Sequence, residues 1–253
     1  MKPFKFISLN LWIGGIFFDN MAAFLEGQKA DVLALQEVYE GDSIDGEKRL
    51  RSFTVLKELL GFPYAVFAPA FFTTINGSRV DSGNAVFSRF PITGESVTFF
   101  DVPYREADTT NPVTFPYIPR NLQHVVVDCG GTPLHIFNTQ GIWGTDGADN
   151  ERRLAMSRTI AEHVRFERNV ILAGDFNVDI NTESIRIIER HLTNVFKGRL
   201  TTTFNMKRKD NPKLSTAVID MVFTGKGIQV RKTYAPEVDV SDHRPLGIDF
   251  DIE

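Results

Sequence analysis

Cysteine and long apolar runs are both scarce in this sequence. Cys129 is the one cysteine among 253 residues, which excludes an intrachain disulfide and a cysteine-rich zinc site. No apolar run reaches the roughly 18 residues that span a bilayer. The first residues lack the long apolar segment and the cleavage site of a signal peptide. We therefore expect a cytoplasmic protein with no stable membrane insertion.

Positive charge is not in surplus either. The chain has 28 Lys and Arg against 32 Asp and Glu, for a formal net charge of −4. This balance excludes a strongly basic coat for nucleic acid, but it allows a local basic or metal-bearing cleft. The densest basic cluster runs from Lys207 to Lys209, and it fits either the border of such a cleft or a solvated loop.

What the sequence does have is an ordinary globular composition, with 42% hydrophobic and 24% charged residues. Strand-like and helix-like segments alternate without a linker or a fixed-period repeat. We therefore predict a single α/β domain over residues 1–253. Asn76-Gly77 between two apolar runs predicts a hairpin. The proline-rich stretch from Tyr104 to Arg120 predicts a long irregular loop, the natural place for substrate selectivity.

Polar side chains follow four of the predicted apolar strands and precede the last one. The segments are Ser8-Leu9-Asn10, Leu35-Gln36-Glu37, Phe137-Asn138-Thr139-Gln140, Gly174-Asp175-Phe176-Asn177 and Ser241-Asp242-His243. Ligand sites of α/β proteins lie at strand ends, where several loops converge on one crevice. Each segment alone is also typical of a turn or a helix cap, so their combination carries the prediction of a site.

The order of these segments, with Ile219-Asp220 before the last of them, resembles the endonuclease/exonuclease/phosphatase superfamily. The resemblance extends from Phe4 to Phe250. It implies a deoxyribonuclease I-like fold, a four-layer α/β sandwich in which helices flank two packed mixed β-sheets. It also implies an enzyme that hydrolyses phosphoric esters with the help of a metal ion.

The residue types favour a hard cation as the cofactor. Magnesium prefers one or two carboxylates together with other oxygen ligands, which suits Glu37 with Asn10 beside it. Acidic loops without cysteine favour Mg²⁺ or Mn²⁺ over zinc. Asp242 is a further candidate metal ligand, although it can equally orient a loop.

The remaining acidic and imidazole groups are candidates for proton transfer. His243 needs a partner that fixes its tautomer, and the resemblance implies Asp220 for this role. Asp175 would either activate the attacking water or protonate the leaving oxygen. Asn177 would donate a hydrogen bond to the water or to a phosphoryl oxygen.

One position departs from the family pattern. Many members carry Asn-x-His where this chain has Asn138-Thr139-Gln140. A glutamine can donate a hydrogen bond to a phosphate oxygen, but it carries neither a proton nor a positive charge at neutral pH. We predict that Asn138 and Gln140 bind substrate. Arg120 either joins them as a phosphate ligand or simply ends the proline-rich loop.

Three functions remain open from the sequence. The first is a metal-dependent phosphodiester hydrolase whose substrate is a phosphate ester, with nucleic acid as one option and a compact diester favoured over a long duplex. The second is a phosphomonoesterase of small or lipid-derived phosphates. The third is a catalytically degenerate protein that binds phosphate esters, an idea motivated by Gln140. The sequence does not predict the oligomeric state.

Overall fold

The computed structural model describes residues 3–42 and 47–253. Within them the chain forms twelve strands and four α-helices. The strands are β1 Phe4–Asn10, β2 Val32–Gly41, β3 Tyr64–Ile75, β4 Ser78–Ser88, β5 Ile92–Phe99, β6 Asn121–Asp128, β7 Pro133–Gln140, β8 Val170–Asp175, β9 Thr193–Asn194, β10 Asp220–Thr224, β11 Ile228–Tyr234 and β12 Leu246–Ile252. The helices are α1 Phe18–Gln28, α2 Ser52–Leu59, α3 Glu151–Val164 and α4 Glu183–Glu189.

The strands form two mixed sheets of six strands each. The first sheet has the order β11-β12-β1-β2-β4-β3, and the second has the order β5-β6-β7-β8-β10-β9. In each sheet one pair is parallel, β1 with β2 and β7 with β8. Each parallel pair is joined by a helix, α1 and α3 respectively, because parallel neighbours need a long crossover connection.

Alternating burial along the central strands produces the layers. In β1, Ile7 and Leu9 pack against α1 and α2, whereas Phe6 points into the core between the sheets. In β8, Leu172 packs toward α3 and α4, and Ile171 joins the same inter-sheet core. Successive strand residues face opposite sides, so each central strand serves two cores. The predicted four-layer α/β sandwich, with helices flanking two packed mixed sheets, is confirmed.

Several predicted elements are present with shifted bounds. The hairpin at Asn76-Gly77 is confirmed, and both residues have positive φ, at 51° and 79°. The stretch from Tyr104 to Arg120 is irregular apart from one short 3-10 turn, Phe115–Tyr117. The two-residue edge strand β9 was not predicted, because two residues are too few for a periodic pattern.

Thr182 is the N-cap residue of α4, but its hydroxyl does not cap the helix. The hydroxyl donates to the Asp179 carbonyl at 2.7 Å instead. The carboxylate of Asp149 accepts from the amides of Glu183 and Ser184, at 2.7 and 3.0 Å. A side chain from the loop before α3 therefore satisfies the first amides of α4, an arrangement that local sequence does not reveal.

Cys129 is half-buried and unpaired, and burial raises the pKa of its thiol to about 12. A half-buried thiol with a raised pKa is typical of a structural, unreactive cysteine. In residues 3–42 and 47–253, no helix combines the length and the apolar character required to cross a membrane.

Gly174 marks the closest approach of β8 to β7. Its φ is +146°, and a Cβ added there would lie 1.9 Å from the carbonyl oxygen of Thr139. This contact is with backbone, which cannot move aside as the end of a flexible side chain can. Gly174 directly precedes Asp175, so the close approach also fixes where that carboxylate emerges from the sheet.

We predict that Gly174→Ala lowers the free energy of unfolding by about 3 kcal/mol, because it combines a backbone clash with a φ that L-residues rarely adopt. Urea denaturation followed by circular dichroism measures the change. Gly27→Ala is the matched control, because Gly27 lies in α1 with open space around its added Cβ. The control should gain up to about 1 kcal/mol. Equal stability of the Gly174 variant and the wild type would contradict the prediction.

Candidate active site

The strand ends converge on one edge of the sandwich, as the sequence predicts. Parallel pairing brings the carboxyl ends of β1 and β2 together, and likewise those of β7 and β8. β10 begins at this edge because it runs antiparallel to β8, with Asp220 paired opposite Asp175. A cavity of about 700 Å³ opens here. The predicted residues that line it are Glu37, Arg120, Gln140, Asp175, Asn177, Asp242 and His243.

Glu37 reaches the cavity from an irregular point of β2. The register between β2 and β4 shifts between Leu35 and Val38, and Glu37 has a φ of 53°. Its carboxylate accepts hydrogen bonds from Gln140 Nε2 at 2.8 Å and from the Ile13 amide at 2.7 Å. The bulge therefore re-aims this side chain out of the strand and into the site.

Asn10 is fully buried and links two of the carboxylates. Its Nδ2 donates to Glu37 Oε1 and to Asp175 Oδ2, both at 3.1 Å. Its Oδ1 accepts from the Trp12 amide at 3.0 Å, so a flipped amide would lose these contacts. In this structure the Asn10 nitrogen faces the two carboxylates and positions them, and the role of Asn10 as a metal ligand stays a prediction.

Asp175 is buried beside other negative charges. Burial raises the pKa of its carboxyl to about 7, against the opposing effect of His243, and the charge of Asp220 raises it further. The Asn177 amide donates to Asp175 Oδ1 at 2.9 Å, and Asn177 adopts a positive φ of 55°. A carboxyl that titrates near neutrality in a cavity can accept or donate a proton at working pH.

Asp220 and His243 form a buried ion pair. His243 Nδ1 lies 2.9 and 3.1 Å from the two oxygens of Asp220, so its Nε2 is the ring nitrogen left for other partners. The backbone amide of Asp220 donates to Thr203 Oγ1 at 3.2 Å. Burial disfavours the charged imidazole, but the charges of Asp220 and Asp242 outweigh it and raise the pKa of His243 to about 10. His243 is therefore an imidazolium at neutral pH.

Asp242 is already paired with a cation. Lys209 Nζ lies 2.5 Å from Asp242 Oδ2, and both residues line the cavity. This places one end of the basic cluster 207–209 at the cleft and gives Asp242 an ammonium partner. This contact fits the alternative in which Asp242 orients a loop, and the role of Asp242 as a metal ligand stays a prediction.

Arg120 is 5% exposed, and its Nε has no hydrogen-bond partner within residues 3–42 and 47–253. Burial lowers the pKa of Arg120, and the charges of Glu37 and Asp175 oppose that shift. Buried charges are normally paired. A lining arginine with an unpartnered Nε is therefore ready to bind an anion.

Asn138 does not lie in the cavity. Its side chain is fully buried between the sheets, where its Nδ2 donates to the carbonyls of Leu35 and Ala85 and to Gln123 Oε1 at 3.0 to 3.2 Å. Its Oδ1 accepts from Gln36 Nε2 at 2.7 Å. The prediction that Asn138 binds substrate is corrected: a side chain whose hydrogen bonds are used between the sheets ties them together below the site.

The carboxylates at this edge could hold a hard divalent cation. Asn10 Nδ2 donates to both Glu37 and Asp175, so these two carboxylates lie around the same amide. Ligand atoms of Asp175, Asp220 and His243 also lie within 4.8 Å of one another, but the imidazolium of His243 has no free electron pair for a metal. The raised pKa of Asp175 reflects a surplus of negative charge that a cation would relieve. Carboxylate oxygens are the ligands that Mg²⁺ and Mn²⁺ prefer.

A comparison with family models assigns the chain. The model described as "Endonuclease/Exonuclease/phosphatase family" matches residues 7–243. The chain therefore belongs to this family. A search of curated protein sequences finds no match.

Solved structures share the fold at low sequence identity. An endonuclease/exonuclease/phosphatase from Beutenbergia cavernae has a TM-score of 0.78 at 19% identity, over 100% of this chain and 72% of its own. The human Nocturnin catalytic domain with bound sulfate has a TM-score of 0.71 at 17% identity, over 99% and 95% of the two chains. A mannosyl-6-phosphatase from Bacteroides thetaiotaomicron has a TM-score of 0.67 at 19% identity, over 98% and 100%.

Sequence reasoning missed several residues that line the cavity. Trp12, Phe115 and Trp143 border it. The positions of Phe115 and Trp143 depend on two long loops whose path has no periodic signal.

We predict that Asp175→Asn changes how stability depends on pH in metal-free protein. The pKa of Asp175 is about 7 in the folded wild type and 3.8 in the unfolded chain, so the folded state binds this proton more tightly. The stability of the wild type therefore falls as pH rises through about 7. The variant has no carboxyl at this position and does not lose this stability. The difference in free energy of unfolding, variant minus wild type, should therefore be more positive at pH 8 than at pH 4.5 by on the order of 1 kcal/mol.

Urea denaturation in EDTA at the two pH values measures the effect. Asp19→Asn is the control, because the Asp19 side chain is 82% exposed. The Asp19→Asn control should change the free energy of unfolding by the same amount at both pH values. The same pH dependence in Asp175→Asn and wild type would sink the assignment of a buried, high-pKa carboxyl.

Proposed function

We propose that this protein is a divalent-metal-dependent phosphodiester hydrolase with Mg²⁺ or Mn²⁺ as its cofactor. The observation that carries the proposal is the Arg120 guanidinium, with its unpartnered Nε, beside Glu37 and Asp175 in one cavity with the Asp220–His243 pair. Together these groups supply a phosphate ligand, a cation site, a neutral-range carboxyl and a fixed imidazolium. Family membership supports hydrolysis of a phosphoric ester as the reaction class.

Glu37 would hold the metal ion, with Asp175 as the neighbouring carboxylate that Asn10 ties to it. A divalent cation bound there would polarise the phosphoryl group and stabilise negative charge on oxygen. Gln140 and the Ile13 amide keep the Glu37 carboxylate in one orientation. Gln140 would thus orient the Glu37 carboxylate through a hydrogen bond, a role that a glutamine can fill at a position where many family members have a histidine.

The protein groups divide the remaining tasks. Arg120 and the imidazolium of His243 would bind the phosphoryl oxygens, since both carry positive charge beside the cavity. Asp220 keeps His243 protonated and oriented through Nδ1. The Asp175 carboxylate would take a proton from the attacking water, because it lines the cavity next to the proposed metal site.

The cavity supports a compact substrate. Its volume of about 700 Å³ lies in the range of small-molecule sites. The net charge of −4 offers no surplus of positive charge for tracking a long duplex. A small diester, including a short piece of nucleic acid, is therefore the proposed substrate class.

We predict that the protein hydrolyses bis-p-nitrophenyl phosphate faster than p-nitrophenyl phosphate, and only with Mg²⁺ or Mn²⁺. Glu37→Gln should lower kcat/KM for the diester by about 100-fold or more, because it removes the proposed metal carboxylate. Release of p-nitrophenolate measures the rate. Glu26→Gln, an exposed carboxylate on α1, is the control and should keep wild-type activity.

Other outcomes of the same assay separate the alternatives. A preference for the monoester, as expected of a phosphomonoesterase, would overturn the diester assignment. Absence of turnover on both esters, with metal bound by calorimetry, would favour a protein that binds phosphate esters without hydrolysing them. Full activity in EDTA would exclude the metal dependence.

We predict that Arg120→Gln raises KM for the diester and lowers kcat/KM by about 10- to 100-fold, since a charge-assisted hydrogen bond to phosphate is lost. Arg168→Gln is the matched control, because Arg168 is exposed and outside the cavity. Steady-state kinetics of both variants are compared with wild type after a melting curve confirms folding. Unchanged kinetics for Arg120→Gln would show that Arg120 does not bind the phosphate and only ends the proline-rich loop.

A further inference from the structure

Two aromatic side chains form a corner on the wall of the cavity. The rings of Phe115 and Trp143 are 4.9 Å apart between centroids and stand at 83° to each other. Both line the same cavity as Arg120, and both are partly exposed. An edge-to-face pair offers two perpendicular apolar surfaces, which a flat ring can contact with its face and its edge.

One side of the corner is fastened to α3 through Arg152. Phe115 begins the 3-10 turn Phe115–Tyr117 inside the proline-rich loop. Arg152 Nη1 donates to the Pro116 carbonyl at 2.7 Å, and its Nε lies 2.5 Å from Asp101 Oδ2. The guanidinium also sits 4.7 Å from the centre of the Tyr117 ring. A single arginine therefore fixes the loop that carries Phe115.

The next residue of α3 fastens the other side. Arg153 is fully buried, and its Nε donates to the Ile142 carbonyl at 3.1 Å. Its Nη1 donates to Asp146 Oδ1 at 3.3 Å and to the Ala148 carbonyl. The loop between these partners carries Trp143. Two consecutive arginines thus hold the two loops in one relative position.

A small apolar cluster supports the corner from behind. Ala70, Phe71, Ala107 and Ile118 form this cluster, and Phe115 packs against it. Phe71 and Ile118 also line the cavity, and Phe71 lies 5.8 Å from the guanidinium carbon of Arg120. The apolar wall is therefore continuous with the proposed phosphate ligand.

We propose that Phe115 and Trp143 select a phosphodiester in which the alcohol that stays on phosphorus carries a planar ring. This inference rests on the proposed function and adds a substrate class to it. With the phosphate on Arg120, the ring of the retained alcohol packs into the corner. Water attacks phosphorus and gives a proton to the Asp175 carboxylate, the bond from phosphorus to the leaving oxygen breaks and releases the other alcohol, and the ring-bearing phosphate monoester remains.

Two diesters with the same leaving group test this. Benzyl p-nitrophenyl phosphate and methyl p-nitrophenyl phosphate both release p-nitrophenolate, and they differ only in the retained alcohol. Wild type should favour the benzyl ester by about 10-fold in kcat/KM, from burial of one ring. Trp143→Leu and Phe115→Leu should each remove most of this preference through KM and leave the methyl ester within about twofold.

Phe166→Leu is the control, because Phe166 is 81% exposed and is not among the residues that line the cavity. It should keep the full preference for the benzyl ester. Melting curves show whether each variant is folded. A variant that does not fold is replaced by Trp143→Phe, which keeps an aromatic ring and should keep part of the preference.

Equal kcat/KM for the two esters in wild type, or an unchanged preference in both corner variants, would overturn the inference while the proposed hydrolysis stands. If neither ester is hydrolysed, the proposed function fails. Calorimetry with benzyl phosphate and methyl phosphate then decides the corner separately. Tighter binding of benzyl phosphate that is lost in Trp143→Leu supports it, and equal affinities overturn it.

Discussion

The side-chain amide of Asn10 is the contact on which the site depends. Asn10 ends a strand of the first sheet, whereas Asp175 ends a strand of the second, and Nδ2 binds that carboxylate and Glu37 at 3.1 Å each. The two sheets pack mainly through apolar side chains, which set the distance between the sheets but not how the strands of one sheet are aligned with those of the other. A buried, directional polar contact supplies this alignment, because leaving either carboxylate unpaired in the interior is costly.

A second polar contact between the sheets lies below the cavity. Gln36 and Asn138 join the sheets below the cavity at 2.7 Å. Polar residues at strand ends therefore do two different things: some face the cavity and some connect the sheets. The sequence placed Asn138 among the cavity residues because both kinds look alike in a strand that ends in amides. Burial on the inter-sheet face separates them, and this follows from sheet packing rather than from local pattern.

Much of the fold was predictable because it rests on short-range patterns. Alternation in β1, the Asn76-Gly77 turn and the strand that ends at Asp175 all have local signals, whereas the bulge that turns Glu37 out of β2 has none. The partner of Asp242 had none, since Lys209 reaches it from a loop 33 positions away in sequence. The unpartnered Nε of Arg120 also depends on what does not surround it in three dimensions. Residue types were thus accessible from sequence, whereas their partners were not.

The neighbouring positions of Arg152 and Arg153 have an evolutionary consequence. Most of the groups proposed for chemistry lie on strands, but the loops that carry Phe115 and Trp143 are held by hydrogen bonds from one turn of α3. Changes in loop length or in the corner side chains can therefore accumulate without disturbing the strands. Such a division separates the residues that contact the proposed substrate from the groups proposed for chemistry, so either set can change without moving the other.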